Sequence, residues 1–214
     1  MEKLEVLLKE ELDKRPAGID RWDRLWDAAV LLPIVYENDT PCILFEVRAK
    51  TLRRQPGEIC FPGGRYECKD KLFVTTAIRE TCEELGLVKE DIEIIGALDA
   101  LVTHSGPIIH PFLGKLKNHR KISFSSAEVD SVFAVPVKFL LECNPRIGYV
   151  QLADKPREDF PFDLVPSRQR NWRYHKEYEV YFYEYEEKVI WGLTARILHA
   201  FLENYRDVMQ KIVR

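Results

Sequence analysis

No long apolar run occurs anywhere in the 214-residue sequence. The longest, Ala28 to Tyr36, is broken by Pro33. A membrane-spanning helix needs roughly 20 apolar residues, so none is expected. The N-terminal stretch MEKLEVLLKEELDKR is amphipathic and charged, without the apolar core of a signal peptide. The chain closes on Ile212-Val213-Arg214, which is not a peroxisomal SKL-type address. The five cysteines, Cys42, Cys60, Cys68, Cys82 and Cys143, include no CxxC pair. The five histidines form no HExxH or similar metal spacing, and no Ser or Cys stands in a nucleophile elbow. Covalent catalysis therefore has no support. An excess of one charge is missing too: the formal net charge is −3. That gives no reason to expect a nucleic acid or a membrane surface as partner. The expectations are free thiols and a cytoplasmic location.

What is present is an ordinary globular composition, 46% hydrophobic and 31% charged, in a chain long enough for one buried core. Leu4, Leu7, Leu8 and Leu12 recur at helical spacing, predicting a surface helix over 2–14. Residues 27–36 and 41–48 read as strands around an Asn38-Asp39 turn. Residues 49–70 read as loop, with a short strand from Glu58 to Phe61. A helix is predicted from Lys71 to Leu85, ended by Gly86 in a left-handed conformation. Strands are expected over 92–103, 108–117 and 131–135, the last running through Pro136 into a short helix to Glu142. Residues 153–171 read as an irregular excursion, 177–185 as a strand, and 191–206 as a closing amphipathic helix. No repeat or linker divides the chain, so one domain over 1–214 is expected, with a helical N-terminal extension over 1–26. Interspersed strands and helices place it in the α/β or α+β class.

The chemistry concentrates in Arg79-Glu80-Thr81-Cys82-Glu83-Glu84-Leu85-Gly86-Leu87. On a helix Glu80, Glu83 and Glu84 stand at i, i+3 and i+4 and share one face, while Ile78, Cys82 and Leu85 point largely the other way. Each like-charged pair costs an isolated helix roughly 0.2–0.5 kcal/mol. A hard divalent cation such as Mg²⁺ or Mn²⁺ removes that cost, bridges phosphate oxygens and activates a water. Arg79 can pair with Glu83 one turn on. Taken alone, the cluster is equally a solvated acidic face. Ahead of it, Phe61-Pro62-Gly63-Gly64 leads from a strand into the helix, where glycines let backbone amides approach an anion. Taken alone this is a tight turn, and Asp70 a helix cap.

Together these residues resemble the box of the Nudix hydrolases, G-x5-E-x7-R-E-U-x-E-E-x-G-U with U aliphatic. Asp70 stands for the first Glu, Thr81 for an aliphatic residue, and the Gly64-to-Arg79 spacing is one residue longer than the generic box. The stretch from Leu44 to Gly64 resembles the signature of the coenzyme A diphosphatase branch, L-L-T-x-R-[SA]-x3-R-x3-G-x3-F-P-G-G. Arg48, Ala49, Arg53, Gly57 and the final FPGG are in register, while Phe45 and Glu46 depart from it. Gln55 stands where many members carry His. Thr103-His104-Ser105-Gly106, Ala127-Glu128-Val129 and Ile190 to Ile197 resemble the same branch, so the likeness runs over about residues 27–200.

The resemblance implies an α/β/α sandwich around a mixed sheet and hydrolysis of a pyrophosphate bond by a metal-activated water. It implies Glu80 and Glu84 as main metal ligands, with Glu83 as further ligand or base and Glu128 as an added ligand or base. Arg79 orients Glu83. Arg48 and Arg53, with Gly63 and Gly64, are the expected substrate contacts, since guanidinium groups make forked bonds to phosphate. The implied substrate is coenzyme A, giving 4′-phosphopantetheine and adenosine 3′,5′-bisphosphate. ADP-ribose, NADH or another nucleoside diphosphate derivative is the alternative, and a non-catalytic nucleotide sensor the rival from another class. Oligomeric state stays open, a homodimer included. The basic run Arg168 to Arg173, His104 and His110 are read as loop residues, and Trp191 and Thr194 as packing for the last helix.

Overall fold

The computed structural model describes residues 4–14, 26–104, 106–166 and 171–212. The near-continuous apolar run becomes the central strand β1 (Asp27–Glu37), buried on both faces. It pairs in parallel with β7 (Ile108–Leu116) and antiparallel with β2 (Thr40–Arg48). Asn38 and Asp39, both at positive φ (47° and 66°), make the two-residue hairpin that joins β1 to β2. Pro33 is tolerated here because β1 changes antiparallel partner around it. Ala28–Val30 pair with β4 (Gly63–Arg65), and Ile34–Glu37 pair with β2.

The main sheet runs β3-β2-β1-β7-β5, with β3 (Ile59–Cys60) at one edge and β5 (Ile92–Ala97) at the other. Off that path, β6 (Leu101–Val102) pairs with β7, and β8 (Val129–Pro136) pairs with β2. It is a mixed sheet with helices on both faces. On one side α2 (Phe73–Leu85) covers Leu31, Val35, Cys42 and Leu44 with Leu85. On the other, α4 (Gly192–Gln210) packs Leu198, Phe201 and Leu202 over Leu32, Ile43 and Phe45, joined by Leu140 of α3 (Val137–Glu142). Burying each such side chain contributes roughly 1.5–3 kcal/mol. The helix α1 (Leu4–Leu12) buries none of its residues.

Several expectations need correction. The strand read over 92–103 divides into β5 and β6, because a bulge between Ile94 and Gly96 and an irregular stretch over 98–100 bend the chain. The helix α2 begins at Phe73 rather than Lys71, since Lys71 has φ 62° and cannot open a right-handed turn. A second, three-stranded sheet was not foreseen: β9 (Arg146–Asp154), β10 (Arg173–Tyr185) and β11 (Lys188–Trp191), in the order β11-β10-β9. Tyr181, Tyr183 and Ile190 of this sheet enter the same core as α4. The excursion thus shrinks to the segment between β9 and β10, and α4 starts after Trp191 and runs to Gln210. Of the basic run, Arg168 to Arg170 lie outside the described residues, and Arg173 opens β10.

Candidate active site

The glycine loop and the carboxylate helix meet directly. Phe61 is buried and stacks on Phe45 at 5.0 Å, and the Pro62 carbonyl accepts the Leu31 amide at 2.9 Å. These contacts pin the loop beside β1. Gly63 sits at φ 155°, where a Cβ would lie 2.4 Å from the Ala29 carbonyl oxygen, so no other residue fits. Its amide donates to Glu84 Oε2 at 2.8 Å. A Cβ on Gly64 would lie 2.4 Å from the Glu80 carboxyl carbon. Gly63 is therefore required by the close approach of β1, and Gly64 by the approach of Glu80.

Arg79 is held from several sides. Its Nε and Nη2 donate to the two oxygens of Asp70 at 3.0 and 3.1 Å, a forked pair. Its Nη1 reaches Glu80 at 2.9 Å and Glu83 at 3.1 Å. Asp70 also accepts from Thr76 Oγ1 at 2.8 Å and from the Glu67 amide. Asp70 is thus no cap of α2, whose N-cap is Leu72; it anchors Arg79 from a short 3₁₀ turn, Cys68–Asp70. The Arg79 guanidinium holds the buried Asp70 carboxyl well below its usual range. Thr81 is fully buried and donates to the Ala77 carbonyl at 2.7 Å, so its hydroxyl is satisfied within the helix.

The glutamates differ in exposure. Glu84 is 6% exposed, Glu80 is partly buried, and the Glu83 side chain is 55% exposed. Burial raises the pKa of Glu84, and the charge of Glu46 raises it further. Burial likewise raises Glu80, opposed by Arg79 and reinforced by Glu83 and Glu128. Glu83 and Glu84 also sit in the last turn of α2, where the helix dipole disfavours anions. Glu128, exposed just before β8, adds its charge to Glu46 and Glu80. Among the described residues no three His, Cys, Asp or Glu side chains form a preformed metal cage. Arg79 and the Gly63 amide hold the glutamates instead. Oxygen donors crowded at this density, one of them orphaned and buried at Glu46 Oε2, are the donor set a hard divalent cation takes.

A cavity of about 930 Å³ lies between the β3 edge of the main sheet and the second sheet. Arg48 and Cys60 line it on the carboxylate side. Tyr178, Phe182 and Trp191 line the second sheet's side, with Phe182 and Trp191 stacked at 6.1 Å. Arg53, by contrast, is exposed on the loop after β2 and does not line the cavity. His110 belongs to β7 rather than a loop, bonding Asp27 at 2.9 Å and stacking on Phe73. Trp191 turns a half-exposed ring to the cavity, and Thr194 bonds the Ile59 carbonyl at 3.1 Å. Glu46 is a carboxylate near the site that the motifs do not mark; its signal in the sequence is a charge within an apolar strand.

A sandwich of mixed sheet and helices with an REtcEE helix beneath a glycine loop defines a class of pyrophosphate-cleaving hydrolases. The NUDIX domain model matches residues 25–146, and the chain belongs to the Nudix hydrolase family. A relative named an uncharacterized Nudix hydrolase NudL, from Photorhabdus laumondii, is 33% identical over 80% of this chain and 81% of its own. The peroxisomal coenzyme A diphosphatase NUDT7 of Mus musculus is 32% identical over 62% of this chain and 55% of that protein. Among solved structures, a NUDIX hydrolase from Alicyclobacillus acidocaldarius aligns at 20% identity and TM-score 0.46, over 56% of this chain and 83% of that one. Nudix hydrolases generally use divalent cations such as Mg²⁺ or Mn²⁺.

Proposed function

We propose that this protein hydrolyses the pyrophosphate of coenzyme A, releasing 4′-phosphopantetheine and adenosine 3′,5′-bisphosphate. The observation that carries this reading is the large cavity lined by Arg48 and Cys60; Cys60 bonds Glu46, and the Arg48 charge acts on Glu46 and Glu84. The mouse relative named as a coenzyme A diphosphatase supports it.

Glu80 and Glu84 would hold the divalent cation, with Glu83 and Glu128 as additional oxygen donors. When bound, the cation neutralises phosphoryl charge and lowers the pKa of a water. Arg79 holds Glu83 at 3.1 Å, and this exposed carboxylate would take the proton of such a water, with Glu128 the second candidate base. Gly63 and Gly64 keep the loop close enough for backbone to approach the pyrophosphate. Arg48 steadies a phosphate from the cavity side. The water oxygen bonds to one phosphorus as the bridging P–O bond breaks, and the other phosphate leaves.

The test is incubation with coenzyme A plus Mg²⁺ or Mn²⁺, with EDTA as control, followed by mass spectrometry. Cation-dependent appearance of both products is expected. No cleavage by folded protein with either cation would discard coenzyme A and turn the question to ADP-ribose and NADH. Thermal stabilisation by a nucleotide without turnover would favour a sensor.

A further inference from the structure

We infer that Glu46, buried on β2, is a further ligand of the divalent-cation centre; this rests on the reading that Glu80 and Glu84 hold that cation. Strand alternation puts it there. Cys42 and Leu44 lie in the cluster beneath α2, while Ile43 and Phe45 lie in the cluster beneath α4. Glu46 is the next residue on the α2 side, and its charge is the strongest one acting on Glu84. It is 1% exposed.

Its two oxygens are treated differently. Oε1 accepts the Cys60 thiol at 3.1 Å across the β2–β3 pair. Oε2 is buried with no hydrogen-bond partner. Arg48, two residues along, is the attractive charge nearby, but its own Nε is also buried and unpartnered. A buried carboxylate with an orphaned oxygen, next to a second buried carboxylate, is stable only if something positive arrives. A hard cation suits a free carboxylate oxygen. The Cys60 thiol orients Glu46 by donating a hydrogen bond to Oε1 and leaves Oε2 free for the cation. The alternative, a proton retained by the Glu46–Glu84 pair with no role for metal, is separated by direct binding.

Mn²⁺ binding to the substrate-free protein is measured by the electron paramagnetic resonance signal of free Mn²⁺, together with melting curves with and without Mn²⁺. For Glu46→Gln the expected result is at least tenfold weaker binding of one Mn²⁺ and a smaller Mn²⁺-induced rise in Tm. Its metal-free Tm should match or exceed that of wild type, because a buried charge is gone. Glu46→Thr is the second variant and should show the same loss of Mn²⁺ affinity. Wild-type Mn²⁺ isotherms in either folded variant would overturn the assignment. Glu84→Gln is the control that separates the two readings. If it weakens Mn²⁺ binding and Glu46 variants do not, only this inference fails. If it too binds like wild type, the carboxylate helix is no cation site.

Discussion

At the scale of single residues, the three helix glutamates differ more than their spacing suggests. Glu84 is buried under the glycine loop and Glu83 is open to solvent. Replacing Glu84 by Gln keeps an acceptor for the Gly63 amide but removes the charge. Turnover should fall by about two to four orders of magnitude, while the metal-free melting temperature holds or rises. Steady-state kinetics beside melting curves check this, and near-wild-type turnover would contradict the metal assignment. The shared face of Glu80, Glu83 and Glu84 was readable because helical spacing alone determines it. The situation of Glu46 was not, because its burial arises from α2 and the β3 edge closing over β2.

At the scale of elements, the glycine loop and the turn before α2 carry separable loads. Gly63→Ala forces a side chain against the backbone of β1 and should cost about 1–3 kcal/mol of stability. Gly64→Ala meets only the movable end of Glu80, so its main effect should be on turnover. Chemical denaturation and kinetics on the pair distinguish the two; equal losses of stability would refute the distinction. The Asp70–Arg79 clamp ties the 3₁₀ turn to α2, and truncating Asp70 to Ala should cost about 1–3 kcal/mol near neutral pH, because Arg79 keeps Glu80 and Glu83 as partners. Because the folded pKa of Asp70 is depressed, its contribution is present above the usual 3.8 and is lost as pH falls through and below that value. The stability gap between wild type and Asp70→Ala should therefore narrow on acidification. Melting curves from neutral pH to about pH 2 measure it, and a constant gap would mean Asp70 acts without its charge. Gly86, at φ 63°, ends α2 as its position in the sequence suggested. Between Gly64 and Arg79 the chain makes the 3₁₀ turn that carries Asp70, which no helical periodicity announces.

At the scale of the whole molecule, the cavity's outer wall comes from β9–β11, almost wholly beyond the matched family domain. Substrate choice should then be sensitive to this wall, and the chemical step should not. Tyr178→Ala and Trp191→Ala should each raise KM about two- to tenfold at unchanged kcat, the loss of one aromatic contact. Kinetics with coenzyme A test it; an equal fall in kcat at constant KM would place those rings in the transition state instead.

The sequence by itself determined the class of the protein, the carboxylate helix, the glycine loop and most of the main sheet, because these depend on short-range periodicity and turn chemistry. The strand over 27–36 and the Asn38-Asp39 turn were visible for the same reason, whereas the burial of β1 on both faces was not read from it. Only the tertiary structure decided that Glu46 confronts Glu84, that Asp70 clamps Arg79, and that Arg48 faces the cavity while Arg53 does not. It alone showed the second sheet, since β9 alternates weakly and β11 is only four residues long. Those features depend on pairings between residues far apart in the chain, and pairings of that kind leave no local pattern in the sequence.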